Sequence, residues 1–402
     1  MTSRRNFLGK VSAGVAGTIA TMAPGAQILG ANERVRLAII GAGSRGQQIM
    51  REAIACPNTE FVAVADVYSR RHEECRRFIP NARMYFDYRE LLQDKDKSID
   101  AVLIATPQHL HCEHFVAALE AGKHVYQEKT MAFTVDHAKR MRLAWQRAGK
   151  VVQIGHQACS SGHVRDAQEI LASGKVGRIT EIHAHMYRNT PHGKPQWSRP
   201  VYPDTNLENV RWSMFLGEAP QREFDPNRFI NWRFFWDYSG GNVYENMTHQ
   251  VAFWYKVLNL KIPRAVTMRG GVYYWKDGRE VPDTMNVVLE QPEEMLFTWT
   301  SGFGNARLGS TEEILGADGT ISKNRQVRYT PEKVNLPQGA EIVGSARGEN
   351  HMQNFIDCVR SGKEPNCPFE VGFRTSIACR MAVDSYIQGR TIRWDEKREA
   401  FA

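Results

Sequence analysis

The sequence lacks the patterns typical of membrane, disulfide-rich and metal-binding proteins. After residue 31 it contains no apolar run long enough to cross a bilayer, so no permanent membrane span is expected. Its seven cysteines are scattered and never form a Cys-x-x-Cys pair, so neither a disulfide framework nor a zinc site is indicated. The histidines at 109, 111 and 114 have no acidic partners at ligand spacing, so no metal is expected.

The chain also lacks a long block of one charge. Its net charge is +8, but Lys and Arg are mixed with Asp and Glu, which argues against nucleic-acid binding. A length of 402 residues with 42% hydrophobic and 24% charged residues indicates a globular protein of two domains.

The first 31 residues have the composition of a targeting segment. Arg4 and Arg5 precede Asn6-Phe7-Leu8, and a mildly apolar, Gly- and Ala-rich stretch follows over 11–23. This order resembles a twin-arginine signal peptide, with cleavage after Ala26 or Ala31. We therefore expect export through the twin-arginine machinery to the periplasm or the medium.

An α/β fold is predicted from Val35 onward. Short apolar strands over 36–40, 60–65, 101–105, 123–126 and 151–154 alternate with helical stretches such as 111–121 and 135–148, as in a parallel sheet with crossover helices. These strands define an N-terminal Rossmann domain over 33–156.

Residues 157–402 have a different pattern and form the second predicted domain. Alternating strands over 178–187, 265–274, 285–290, 294–300 and 312–315 indicate a large, mostly antiparallel open sheet. Helices are predicted over 163–172, 244–258, 349–360 and 372–388, and an aromatic- and Pro-rich loop region over 189–238.

A glycine-rich turn, GAGSRG at 41–46, lies between the first strand and the first helix. Gly41 permits the tight turn, Gly43 lets the backbone approach a pyrophosphate, and Gly46 allows close packing of helix and strand. Ser44 and Arg45 belong to the same phosphate-binding turn. The turn therefore predicts a bound dinucleotide.

Asp66 ends the second strand, 20 residues after Gly46, where its carboxylate can bind both adenosine ribose hydroxyls. This favours NAD over NADP. Arg70, with Arg71 beside it, could bind a 2′-phosphate, so NADP stays open.

Two further motifs, ATPQHLH at 105–111 and AGKHVYQEKT at 121–130, carry a family resemblance. They are similar to the T-P-x-x-x-H and A-G-K-H-V-x-x-E-K-P signatures of the glucose-fructose oxidoreductase, inositol dehydrogenase and MocA (Gfo/Idh/MocA) family. The similarity continues with Gly155-His156-Gln157, ILGADGTI at 314–321 and RWSMFLGEAP at 211–220.

The resemblance implies roles for individual residues. It places Glu128 and Lys129 beside the nicotinamide, with Lys129 touching the reacting hydroxyl, where an ammonium would stabilise a developing alkoxide. It also assigns Thr106, Pro107, His111 and Gln157 to the cofactor site. Thr130 departs from the family's proline.

The segment GGNVYENMTH at 240–249 resembles the family's Gly-Gly loop and its helix with Asp-x-x-x-His. Glu245 replaces the Asp, and His249 matches the His that is the acid/base candidate, with an unperturbed pKa near neutrality. Four-residue spacing puts both on one helical face. Candidate substrate residues are His185, Tyr187, Trp232, Arg233 and Tyr244.

Three functions are compatible with these residues. The first is an NAD(P)-dependent oxidoreductase acting on a hydroxyl of a sugar or sugar derivative. The alternative is an NAD-dependent glycoside hydrolase or lyase that works by transient oxidation at C3 and elimination, and a third is a cofactor-bound sensor without turnover. Export favours a cofactor that is tightly bound and internally recycled, and the resemblance implies a homo-oligomer.

Overall fold

A computed structural model of the chain describes residues 34–94 and 98–402. The predicted signal peptide at 1–31 lies outside these residues. In the described ranges the chain forms a six-stranded and a ten-stranded sheet.

The six-stranded sheet is parallel throughout and has the order β3-β2-β1-β4-β5-β6. Its strands are β1 (Val35–Ile40), β2 (Thr59–Ala65), β3 (Arg83–Tyr85), β4 (Ala101–Ile104), β5 (His124–Gln127) and β6 (Val152–Ile154). Its helices are α1 (Ser44–Ile54), α2 (Ser69–Arg76), α3 (Tyr88–Gln93), α4 (His111–Glu120) and α5 (Val135–Ala148). This is the doubly wound Rossmann order, so the predicted fold class of this part is confirmed.

Alternation along β1 explains how this sheet is covered. Leu37 and Ile39 pack with side chains of α1, while Ala38 and Ile40 pack with side chains of α4 and α5 on the other face. Thr134 starts α5 by accepting a hydrogen bond from the His137 amide at its side chain.

The ten-stranded sheet is antiparallel except where β7 and β10 run parallel. Its strands are β7 (Ile179–Tyr187), β8 (Ala265–Gly271), β9 (Thr284–Gln291), β10 (Met295–Gly302), β11 (Ser310–Gly316), β12 (Gly319–Lys323), β13 (Val327–Pro331), β14 (Ile342–Val343), β15 (Ile392–Asp395) and β16 (Ala400–Phe401). The remaining helices are α6 (Gly162–Ala172), α7 (Trp212–Leu216), α8 (Pro226–Ile230), α9 (Thr248–Leu258), α10 (His351–Ser361) and α11 (Phe369–Gln388). The mostly antiparallel second sheet is also confirmed.

One face of this sheet packs against helices and the other is open. Along β9, Met285, Val287 and Leu289 are buried with residues of α9 and α11, while Val288 and Glu290 are exposed. The alternating strands predicted from the sequence reflect this arrangement.

The segment predicted as a loop over 189–238 contains α7, α8 and a short 3₁₀ turn at Trp232–Phe234. Its aromatic residues form a separate small core around Tyr68, which includes Trp212, Phe215 and Phe229. Asp225 caps α8 and Pro226 occupies its first turn. These helices are only five residues long, too short for a periodic pattern to predict.

All seven cysteines are unpaired and buried. Burial raises the pKa of Cys75 to about 12, so this thiol stays protonated and inert. Across the described ranges, no helix combines the length and the apolar character needed to cross a membrane.

Candidate active site

The glycine-rich turn joins β1 to α1 with little room for side chains. Gly41 has a φ of +89°, and a Cβ at this position would lie 2.7 Å from the Thr106 backbone nitrogen. A Cβ on Gly46 would lie 2.1 Å from the Gly41 carbonyl oxygen, whereas one on Gly43 would meet no atom within 4 Å. Gly41 and Gly46 are thus required by the fold, while Gly43 borders open space.

A cavity of about 470 Å³ lies beside this turn. Gly43, Ser44 and Arg45 line it, so the N-terminus of α1 faces the cavity. The first turn of α1 carries no acidic residue, and no side chain caps it. Its backbone N–H groups are therefore suited to phosphate oxygens, and a dinucleotide fits the residues present.

Asp66 and Arg71 line the same cavity. The Asp66 carboxylate accepts hydrogen bonds from the Ala42 amide at 2.7 Å and the Tyr68 amide at 2.9 Å. Arg71 donates to Glu74 at 2.7 Å. Both residues therefore border the cavity, and their role at the adenosine ribose stays a prediction.

Arg70 is not placed there. Its guanidinium makes three hydrogen bonds of 2.9–3.1 Å to Asp204 and lies over the Tyr202 ring at 4.2 Å. The predicted cofactor role of Arg70 is therefore corrected, because a distant loop residue captures the side chain. Arg71 is the arginine that reaches the cavity.

The other predicted cofactor residues divide into two groups. Thr106 and Pro107 line the cavity. His111 is buried, and its ring nitrogens lie 2.8 Å from the Thr130 carbonyl oxygen and 2.9 Å from that of Thr106. His111 therefore connects the two motifs instead of lining the cavity.

Glu128 and Gln157 likewise act through neighbours. Buried Glu128 accepts hydrogen bonds from Arg45 at 2.8 Å and 2.7 Å, and Arg45 lines the cavity. Gln157 donates to the Tyr126 hydroxyl at 3.0 Å. Both residues position parts of the Rossmann core, and neither lines the cavity.

Lys129 follows β5 and forms a nearly buried ion pair with Glu245. The Lys129 Nζ lies 2.7 Å from Glu245 Oε2, while Gln108 donates to Oε1 at 2.8 Å and Arg233 Nε lies 3.4 Å from Oε1. Burial alone would raise the pKa of Glu245, but Lys129 and Arg233 outweigh it and hold this pKa at about 2. Glu245 is thus ionised at neutral pH and keeps Lys129 in place.

The backbone beside Lys129 is also held. The Lys129–Thr130 peptide bond is cis, and the buried Thr130 hydroxyl donates to the Tyr244 carbonyl at 2.9 Å. The threonine that replaces the family's proline therefore makes a contact that proline cannot make.

His249 lies at the start of α9, half-buried, with its ring edge-on to that of His156 at 5.6 Å. Burial, together with the charges of Lys129, Arg45 and Arg188, lowers its pKa well below the usual value. The pKa of His249 in the folded chain therefore lies below the unperturbed value near neutrality. His249 is a neutral imidazole at pH 7 and can accept a proton.

The segment before α9 is a π-helical turn at Val243–Met247, not the α-helix predicted. A π turn has wider spacing, so Glu245 and His249 do not form a simple four-residue pair. Lys129 nevertheless interacts with both side chains, since it forms an ion pair with Glu245 and its charge lowers the pKa of His249.

Two of the candidate substrate residues reach the cavity. Trp232 and Arg233 line it, with the Arg233 guanidinium 4.2 Å from the Trp232 ring centroid. Arg233 also reaches Glu245, so it connects the cavity with the Lys129 ion pair.

The other three are placed elsewhere. Tyr244 is buried, and its hydroxyl donates to the Phe133 carbonyl at 2.7 Å, which makes it a core residue. His185 and Tyr187 pair with Thr300 and Gly302 on the open face of the large sheet, opposite α9. Their predicted substrate role is corrected, because the strand's alternation directs them away from His249.

Residues 35–156 match a protein family described as an oxidoreductase family with an NAD-binding Rossmann fold, GFO_IDH_MocA. The Rossmann part of this chain is therefore similar to the Gfo/Idh/MocA family, as its motifs predict.

Curated relatives are similar to this chain over part of their length. An inositol 2-dehydrogenase of Salmonella typhimurium is 32% identical over 157 residues, which cover 38% of this chain and 46% of the relative. A 1-carboxy-3-chloro-3,4-dihydroxycyclohexa-1,5-diene dehydrogenase of Comamonas testosteroni is 31% identical over 153 residues, 38% of each chain. The chain thus spans less than half the length of these relatives.

A solved structure extends the likeness to the second sheet. Levoglucosan dehydrogenase in complex with NADH and levoglucosan superposes with a TM-score of 0.68 at 18% identity, covering 90% of this chain and 99% of that one. At this identity the likeness establishes the fold alone.

Some residues of the candidate site were not predicted from the sequence. Gln108 occupies the variable part of the T-P-x-x-x-H motif, and His156 the variable part of Gly-x-Gln, so their motifs gave no reason to select them. Arg199 lines the cavity from a loop without any motif. Only the tertiary structure brings it to the glycine-rich turn.

Proposed function

We propose that this chain is an NAD(P)-dependent oxidoreductase that acts on a hydroxyl group of a sugar or sugar derivative. The observation that carries the proposal is the Lys129–Glu245 ion pair at the end of β5, with neutral His249 close by. The dehydrogenases among its relatives favour the same chemistry for the Rossmann part.

The residues fit removal of a proton from an alcohol. When bound, the dinucleotide supplies the nicotinamide ring that takes up a hydride from the carbinol carbon. The Lys129 ammonium stabilises the negative charge that develops on the alcohol oxygen, and the His249 imidazole accepts the hydroxyl proton. Glu245 keeps Lys129 oriented.

Arg233 and Trp232 suit a polyhydroxylated substrate. The Trp232 ring offers a flat apolar surface and Arg233 a hydrogen-bond donor, the pair of features that sugar faces and sugar hydroxyls require. Both residues line the cavity, and the contact of Arg233 with Glu245 supports this role.

We further propose that residues 1–31 direct export and that the cofactor is loaded first and retained. Little free dinucleotide is present outside the cytoplasm, so an exported enzyme must restore its own cofactor in each cycle. An internally coupled oxidoreductase satisfies this requirement.

The test is to purify the chain, supply NAD, and follow the near-ultraviolet absorbance of reduced nicotinamide on adding polyols and sugars. We expect reduction with a free sugar alcohol or aldose. Steady cleavage of aryl glycosides without net reduction would replace the proposal with the glycoside hydrolase alternative, and absence of dinucleotide binding would refute both.

Lys129→Met tests the mechanism. Turnover should fall by about a hundredfold or more because the charge beside the alcohol oxygen is lost, while dinucleotide binding persists. Lys261→Met removes an exposed lysine and is the matched control. Full activity in Lys129→Met would contradict the assigned role.

A further inference from the structure

Arg199 reaches the glycine-rich turn from the second half of the chain. Its Nη1 donates to the Ser44 hydroxyl at 2.9 Å, and Ser44 is the first residue of α1. The side chain lines the same cavity as Asp66 and Arg71, although residues 72–198 lie between Arg71 and Arg199 in the sequence.

The charge of Arg199 has no acidic partner within the described ranges. Arg71 is paired with Glu74 at 2.7 Å and Arg233 lies 3.4 Å from Glu245, whereas the Arg199 guanidinium hydrogen-bonds, among the described residues, to the Ser44 hydroxyl alone. Desolvation and the charges of Arg233 and Arg71 lower its pKa. A cation placed among cations at a phosphate-binding turn indicates an anionic ligand.

The backbone of Arg199 is held firmly. Its amide donates to the Asn231 side chain at 2.8 Å, and the Asn231 amide group donates back to the Arg199 carbonyl at 3.1 Å. Asn231 is itself buried. The backbone that carries the guanidinium is therefore fixed, and the guanidinium is directed to the turn by its hydrogen bond to Ser44.

Residues 199–211, which we call the strap, then run along the residues that follow β2. The Ser69 amide donates to the Asn209 carbonyl at 3.0 Å, and the Arg211 amide donates to the Val67 carbonyl at 2.9 Å. The strap thus connects the wall of the cavity formed by the second half with the wall formed by the Rossmann half.

Asp204 fastens the middle of the strap. It accepts the three hydrogen bonds from Arg70 and one of 2.7 Å from the Tyr68 hydroxyl. Neither Arg70 nor Asp204 lines the cavity. This connection can therefore be broken without removing a group that faces the ligand.

We propose that Arg199 binds the pyrophosphate of the dinucleotide and that the strap, held in place by the Arg70–Asp204 contact, keeps the cavity closed over the bound cofactor. This inference rests on the proposed dinucleotide binding and goes beyond it. It gives a physical reason for slow cofactor release, since the strap must detach before the dinucleotide leaves.

The first test measures equilibrium binding of NADH by fluorescence, with ADP-ribose and adenosine as competitors. Arg199→Gln should weaken NADH and ADP-ribose about tenfold to a hundredfold and leave adenosine unchanged, because adenosine has no phosphate. Arg199→Lys, which keeps the charge, should retain part of the affinity and serves if Arg199→Gln does not fold. Arg178→Gln, an exposed arginine paired with Glu294, is the matched control.

The second test follows dissociation of NADH after a chase with excess ADP-ribose. Asp204→Asn should accelerate dissociation about tenfold, with a smaller change in the equilibrium constant, because opening speeds both entry and exit. Unchanged NADH affinity in Arg199→Gln, an equal loss for adenosine, or unchanged dissociation in Asp204→Asn would overturn the inference. Absence of NADH binding in the wild type would instead refute the proposed function.

Discussion

At the scale of single residues, Glu245 organises the candidate active site. Its carboxylate receives Lys129 and Gln108 and lies near Arg233, and these contacts join the Rossmann half to the second half. Removing the carboxylate would leave two cations close together in a nearly buried place.

Glu245→Gln should therefore lower the free energy of unfolding by on the order of 2–4 kcal/mol near neutral pH. The folded-state pKa of about 2 lies below the ordinary value of 4.5. The stabilisation is thus complete above about pH 4.5 and disappears as the pH falls toward about 2.

Urea denaturation of wild type and variant across this pH range measures the difference. The difference in free energy of unfolding between wild type and variant should shrink steadily as the pH falls. Glu294→Gln, which removes an exposed carboxylate, is the control and should show little effect. A deficit that stays constant down to about pH 3 would contradict the ionisation assigned to Glu245.

Whether a site residue can be predicted from the sequence depends on whether local or distant residues determine the orientation of its side chain. The glycines at 41, 43 and 46 belong to a short local motif that is set by backbone geometry, and the Asp66 side chain is held by the nearby Ala42 and Tyr68 amides. The side chains of Arg70, Tyr244 and His185 are oriented by tertiary partners, namely Asp204, the Phe133 carbonyl and the open sheet face. No local pattern contains that information.

At the scale of elements, the six-residue turn from β1 into α1 contains one glycine that the packing of the fold requires and another that borders the cavity. Gly46 is packed against the Gly41 carbonyl, and Gly43 borders open space in the cavity lining. The π-helical turn before α9 has no comparable sequence signal, because its residues favour an α-helix equally well.

Alanine substitutions at Gly46 and Gly43 should affect different properties, the first stability and the second NADH binding. Gly46→Ala should destabilise the fold by on the order of several kcal/mol, because its Cβ would overlap backbone that cannot move aside. Gly43→Ala should keep the wild-type melting temperature and lose NADH affinity, because its methyl group enters the space facing the α1 N-terminus.

Thermal unfolding and NADH fluorescence titration, each run on both variants, distinguish these outcomes. Normal NADH binding by Gly43→Ala would show that the dinucleotide does not approach this turn. Normal stability of Gly46→Ala would show that α1 and β1 are packed less closely than the structure indicates.

At the scale of the whole molecule, the packing crosses the predicted domain boundary at residue 156. Helix α10, near the end of the chain, places Met352, Phe355 and Ile356 against residues of β1 and α1. His351 also contacts Ser160 at 2.7 Å and the Ile154 carbonyl at 3.1 Å. The division into two domains remains a prediction, but the two halves share this core.

Phe355→Ala tests whether the halves unfold together. Phe355 is fully buried, and its ring lies edge-on to that of Tyr126 with 5.7 Å between the ring centroids. Tyr126 is on β5, the strand that leads to Glu128 and Lys129. Truncating this side chain to alanine should lower the free energy of unfolding by about 3–5 kcal/mol. Because α10 completes the parallel sheet's core, loss of NADH binding and loss of helical circular dichroism should shift together to lower denaturant concentration in one transition.

The control is Leu143→Ala, at an exposed position on α5, which should shift neither signal. Two separate transitions, with only one displaced by Phe355→Ala, would show that the halves fold independently and that α10 merely rests on the Rossmann part.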